Sequence, residues 1–162
     1  MKRYSLVLFL AMVIMACEND TEPDGLVESS EIEYLVFGRF SSGMGGGDSQ
    51  MFRVTRTDFT QEVVEPFFAR LDYEYNPEIT MTDADRNNAQ QLIDLLPTEL
   101  VDSPKDTYGC PDCYDQGGFY LEFGNEAERK KMLLDPDDSD DQSTEIVAYK
   151  EAIATLLLLW RD

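Results

Sequence analysis

The sequence predicts an α+β fold: a small antiparallel sheet of four to five strands with two helices packed on it, preceded by a signal peptide and a flexible leash. Three observations carry this. Apolar and polar residues alternate in short blocks at 31–40, 50–57 and 119–123, apolar residues recur at helical spacing after Thr82 and after Ser143, and turn-forming residues separate the blocks. Strands, helix, strands, helix is the order of a sheet covered on one face by its helices.

Glu31 to Phe40 sets Ile32, Tyr34 and Val36 against Leu35, Phe37 and Arg39, and its aromatic and β-branched content reads as a strand. Ser41 to Ser49, with four glycines, reads as a turn, and Gln50 to Thr57 resumes the alternation through Met51, Phe52 and Val54. The two blocks therefore predict an antiparallel hairpin. The glycine loop lacks the Lys-Ser or Lys-Thr of a phosphate-binding loop and opens no helix. Asp58 to Ile79 is interrupted by Pro66 and Pro77 and reads as irregular, with a short strand near Gln61 to Val64.

Thr82 and Asp85 resemble a capping box, and Ala89, Leu92, Ile93 and Leu96 fall on one helical face, so a helix is expected from about Asp83 to Leu96, stopped by Pro97. Phe119 to Phe123 reads as a half-buried strand that turns at Gly124-Asn125. Arg129 to Leu134 reads as the returning strand, although Asn125 with Glu128 could instead cap a helix there. Ser143 caps a closing helix with Ile146, Tyr149, Ile153, Leu156, Leu157 and Trp160 on its apolar stripe and Lys150 and Glu151 on the other side.

The first 16 residues read as an address. Lys2 and Arg3 precede an apolar run, Leu6 to Met15, that is too short to span a bilayer. Ile14-Met15-Ala16-Cys17 resembles a bacterial lipobox, in which the cysteine is lipidated and becomes the new N-terminus; cleavage after Ala16 as an ordinary signal peptide is the competing reading. Residues 17–30 would be the lipidated cysteine and an acidic leash with little to bury, and residues 31–162 a single domain. The expected place is the bacterial outer membrane, anchored through Cys17, on the cell surface in preference to the periplasmic face.

Losing Lys2 and Arg3 with the leader leaves 11 basic residues against 33 acids, a net charge of −22. Such a chain is a poor ligand for nucleic acid or anionic lipid, which need clustered Lys and Arg. With no histidine anywhere, the Ser-His-Asp and Cys-His nucleophile systems are excluded. Carboxylate chemistry remains open, but 33 acids make any one pair uninformative.

Cys110 and Cys113 stand in Gly109-Cys-Pro-Asp-Cys-Tyr-Asp-Gln-Gly-Gly118. Outside the cytoplasm two such thiols tend to oxidise, and a local disulfide stiffening the turn is the favoured reading. A zinc knuckle would need a second Cys pair or histidines. A thioredoxin-like site would need a buried strand before the pair and a helix after it. Asp135 to Asp141 holds five aspartates, but no register supplies the glycine and glutamate of an EF-hand; a solvated acidic loop is expected, with weak calcium binding the alternative.

The Gly109–Gly118 segment, followed by a strand and a C-terminal helix, resembles a family of small uncharacterised Bacteroidota-type lipoproteins. Members are similar in carrying a glycine-rich hairpin after an FG-containing strand, as at Phe37-Gly38. The resemblance implies the fold and the address, and no activity. The function expected is a non-enzymatic, surface-tethered binding or accessory domain for a protein or glycan partner, with the Ser41–Ser49 loop and Tyr108, Tyr114 and Gln116 as contact residues. No catalytic residue, metal site or cofactor is read. The alternatives are a thiol-disulfide active periplasmic protein using Cys110 and Cys113, and a carboxylate hydrolase of envelope glycans.

Overall fold

The computed structural model describes residues 31–40, 49–62, 77–111 and 113–161, with Glu78 in its backbone alone. The leader, Cys17, the leash, most of the glycine loop, Val63-Val64 and Asp112 lie outside the described residues. In chain order the elements are β1 (Tyr34–Phe40), β2 (Gln50–Thr55), β3 (Phe59–Glu62), β4 (Pro77–Thr80), α1 (Asp83–Asp94), α2 (Thr98–Asp102), β5 (Thr107–Tyr108), β6 (Gly118–Gly124), β7 (Arg129–Leu134) and α3 (Thr144–Leu159).

The strands form one seven-stranded sheet in the order β4-β3-β2-β1-β6-β7-β5. Every pair is antiparallel except β5 and β7, which run parallel. Pairing fixes the two faces, because residues opposite each other in register share a face. Phe37 lies opposite Phe52 and Leu121, and Leu35 opposite Val54 and Phe123. Met132 and Leu134 continue that face through Leu121 and Phe119. All of these are buried, and α1, α2 and α3 add Leu92, Leu100, Ile146 and Ile153 to the same core. At its centre the rings of Phe37, Phe52 and Phe59 stand 5.6–6.3 Å apart, capped by Trp160 at 4.9–6.3 Å. Burying each such side chain stabilises by about 1.5–3 kcal/mol.

The opposite face carries a smaller cluster, Val36, Phe40, Met51 and Tyr120, together with buried Glu122. Glu122 is satisfied by its neighbours: the Tyr34 hydroxyl donates to Oε1 at 2.9 Å, the Tyr120 hydroxyl to Oε2 at 2.8 Å, and the Lys131 ammonium stands 3.6 Å away.

The helix ends follow the sequence signals. Thr82 Oγ1 accepts from the Asp85 N–H at 3.2 Å, and Ser143 Oγ accepts from the Ile146 N–H at 3.3 Å. Trp160 Nε1 donates to Asp85 Oδ1 at 2.9 Å, tying the end of α3 to the start of α1. The Thr82 hydroxyl, and after it Trp160, hold the Asp85 carboxyl below the usual carboxylate range.

Three expectations need correction. Among the described residues the sheet has seven strands and is mixed, not four to five and antiparallel, and three helices are present. The added strands, β4 and β5, are four and two residues long, too short for alternation to show, so pairing with β3 and β7 defines them. Pro77, read as an interruption, opens the edge strand β4, where a missing N–H is tolerated. β6 is not half-buried: all seven residues are buried, because it lies between β1 and β7 with side chains in both clusters. The returning strand is present as read, over Arg129–Leu134, and Asn125 with Glu128 marks the turn before it, Asn125 Oδ1 accepting from the Ala127 and Glu128 N–H groups at 2.9 Å.

Candidate functional site

The parallel pairing of β5 with β7 aligns Tyr108 with Leu134. Two parallel strands leave the sheet on the same side, so the cysteine turn after Tyr108 and the acidic loop after Leu134 emerge together. The Asp135 N–H donates to the Tyr108 carbonyl at 2.9 Å, extending the ladder by one step. Two segments 25 residues apart in sequence thereby become one unit.

Aspartates hold the turn. Asp135 Oδ2 accepts from the Cys110 N–H at 2.6 Å, and Asp141 Oδ1 accepts from the Gly109 N–H at 2.9 Å and the Ser139 hydroxyl at 2.7 Å. The Ser139 hydroxyl is the main reason the Asp141 carboxyl titrates below the usual range, with Lys105, 3.3 Å from Oδ2, adding to it. Gly109 is required twice over: its φ is +70°, and a Cβ there would fall 2.5 Å from Asp135 Cβ. Cys110 and Cys113 form a disulfide with Cα atoms 5.5 Å apart, and the Cys113 N–H donates to the Cys110 carbonyl at 3.1 Å. Gln116 closes the turn, its Oε1 accepting from the Tyr114 N–H at 2.7 Å and its Nε2 donating to the Cys110 carbonyl at 3.3 Å.

The acidic loop is itself built around a cation. Lys150, placed by the sequence on the outer side of α3, is only 3% exposed. Its ammonium donates to the carbonyls of Asp135 at 2.9 Å and Asp137 at 3.0 Å, with Asp138 Oδ1 at 3.3 Å and the Pro136 carbonyl at 3.5 Å. The loop is therefore not merely solvated. Among the described residues no group of three or more Asp, Glu, Cys or His is placed to hold a metal ion.

The predicted contact residues separate. Tyr114 is 89% exposed at the tip of the turn, and Gln116 beneath it is a brace. Tyr108 is 2% exposed and belongs to the core, so its reading as an exposed aromatic is corrected: as the second residue of β5 it turns inward. Cys110 and Cys113 are both exposed. Their turn follows a two-residue strand and leads into β6, so among the described residues no helix starts at the cysteine pair. The carboxylates of Asp135 and Asp141 accept from the backbone N–H groups of Cys110 and Gly109.

No protein-family model, no curated protein and no solved structure matches this chain. The site is accordingly read from its own chemistry.

A second concavity lies at the other end of the sheet, where β1 begins and β2 and β6 end. It consists of adjoining hollows of about 540 and 670 Å³ that share Glu33, Arg56, Asn125 and Glu126. Tyr34 and Arg53 line the first, with the guanidinium 4.8 Å from the ring centroid. Burial, and then the nearby Glu122 carboxylate, push the Tyr34 phenol upward in pKa, so it stays protonated as a donor. Both charge signs converge in this groove, and its chemistry favours no single ligand class.

Sequence reasoning missed Gly109, Asp135, Asp141 and Lys150 as members of one site. For Lys150 a signal existed: it lies four residues after Ile146 and three before Ile153, on the buried stripe.

Proposed function

We propose that this chain is a lipid-anchored protein of the bacterial outer membrane, of the small Bacteroidota-type lipoprotein family it resembles, tethered through Cys17. In this reading its α+β domain is a non-enzymatic binding or accessory module that presents the Cys110–Cys113 turn to a protein or glycan partner. The supporting observation is Tyr114, 89% exposed on a turn whose backbone is fixed by Asp135, Asp141 and Gln116. An aromatic carried on a backbone already held in place offers contact area without the cost of ordering the turn on binding, a property suited to an interface anchor. The test is a photo-crosslinking residue placed at Tyr114 in living cells, with the same residue at exposed Glu151 as control. One discrete adduct from position 114 alone supports the reading; identical patterns from both positions refute it. Protease shaving of intact cells then assigns the face of the membrane, and loss of membrane fractionation in Cys17→Ser tests the anchor.

The exposed disulfide supports a second reading, thiol-disulfide exchange through Cys110 and Cys113. That reading requires glutathione exchange above background in the native chain and its loss in Cys113→Ser.

A further inference from the structure

The Asp135–Asp141 loop carries five aspartates and folds around a cation that the chain itself supplies. Three backbone carbonyls and one carboxylate oxygen surround the Lys150 ammonium at 2.9–3.5 Å. Oxygen-only coordination, with carbonyls contributing beside a carboxylate, is what a hard cation receives from a loop. An ammonium has three donors, and the three shortest contacts use them. The carboxylate is the minor partner, since the Asp138 side chain is 72% exposed at the rim while the Lys150 side chain is 4% exposed. Lys150 lies on the same helix face as buried Ile146 and Ile153, and from there its ammonium reaches the loop. The carbonyl closest to the ammonium belongs to Asp135, whose carboxylate holds both the Cys110 N–H and the Asp137 N–H.

We propose that the Asp135–Asp141 loop is an oxygen-lined cation site whose occupant is the chain's own Lys150 ammonium, and that this tethered cation sets the shape of the loop and, through Asp135, of the disulfide turn. Calcium has no vacancy to enter. Lys150 acts as a positioning residue: it touches no partner and works through Asp135. The inference stands apart from the display reading, because its measurement is local backbone protection and not partner binding.

The test is hydrogen exchange by mass spectrometry on the full chain in detergent, following peptides that cover the cysteine turn, the acidic loop and β6. In Lys150→Ala the first two should exchange about tenfold faster while β6 keeps its protection. Propylammonium, which restores the missing stem and charge, should slow them again, and propanol, the neutral analogue, should not. Equal rescue by propanol, or none by propylammonium, overturns the proposal. In the native chain, calcium at up to about 10 mM, above the range of extracellular calcium modules, should leave both peptides unchanged; slower exchange on calcium addition overturns the proposal even if Lys150→Ala fails to fold.

Discussion

A carboxylate should hold the cysteine turn more strongly than its disulfide does. The cross-link closes a loop of only four residues, and the chain-entropy relation for so short a loop yields about 2 kcal/mol. Asp135 is 7% exposed and accepts two backbone N–H bonds, from Cys110 at 2.6 Å and Asp137 at 3.0 Å. Hydrogen bonds to a charged acceptor contribute about 1.5–3 kcal/mol each. Two such bonds total about 3–6 kcal/mol, and since water can reach the exposed rim at Cys110 and Asp137 after the carboxylate is removed, Asp135→Ala should cost the lower end of that range, about 3 kcal/mol. The assay is urea unfolding followed by Trp160 fluorescence, comparing Asp135→Ala with the paired Cys110→Ser and Cys113→Ser variant at equal m-value. Combining all three changes should cost less than the separate losses added together, since both features constrain the same backbone. If the paired cysteine variant loses as much stability as Asp135→Ala, the view of the acidic loop as the scaffold of the turn is wrong.

Gly38→Ala should destabilise by about 3 kcal/mol or more, because the added Cβ would fall 2.0 Å from the Gln50 carbonyl oxygen and 2.8 Å from Met51 Cα; a loss under about 1 kcal/mol in the same urea assay would contradict that contact. Tyr149→Phe should cost about 1 kcal/mol, since the buried hydroxyl donates to the Leu92 carbonyl at 3.1 Å and ties α3 to α1; unchanged thermal unfolding would refute the tie. Asp85 and Asp141 titrate below the ordinary 3.8 in the folded chain, so their contribution is complete above that value and fades as pH falls through the folded values. Acid unfolding below 3.8 followed by Trp160 fluorescence should therefore be shallower in Asp85→Asn, and an unchanged acid limb would contradict the Trp160–Asp85 bond.

The elements legible in the sequence were those long enough to bury one face. β1, β2, β6 and β7 each run for six or seven residues, and α1 and α3 carry both an apolar stripe and a capping side chain. β5 could not be read: Thr107 and Tyr108 become a strand because Leu133 and Leu134 lie alongside them. The five-residue α2 lacks a side-chain cap and begins directly after Pro97, so nothing local announces it. The same limit produced the wrong strand count, since edge strands take their structure from the neighbour they pair with.

The site was legible as two separate signals, and its physical meaning lies in their union. The cysteine turn and the acidic run look independent because 25 residues and the whole of β6 and β7 separate them. They meet only because β5 runs parallel to β7, the least visible pairing in the sheet. Lys150 shows how residue type can mislead where position does not: helical spacing puts it between Ile146 and Ile153 on the buried face, and charge alone argued for the surface. A lysine kept at a core position must spend its ammonium on oxygen atoms, and the loop beside it supplies the Asp135 and Asp137 carbonyls and the rim carboxylate of Asp138. Burial of the lysine and folding of the acidic loop are thus one event, and the shape of the turn that exposes Tyr114 depends on both.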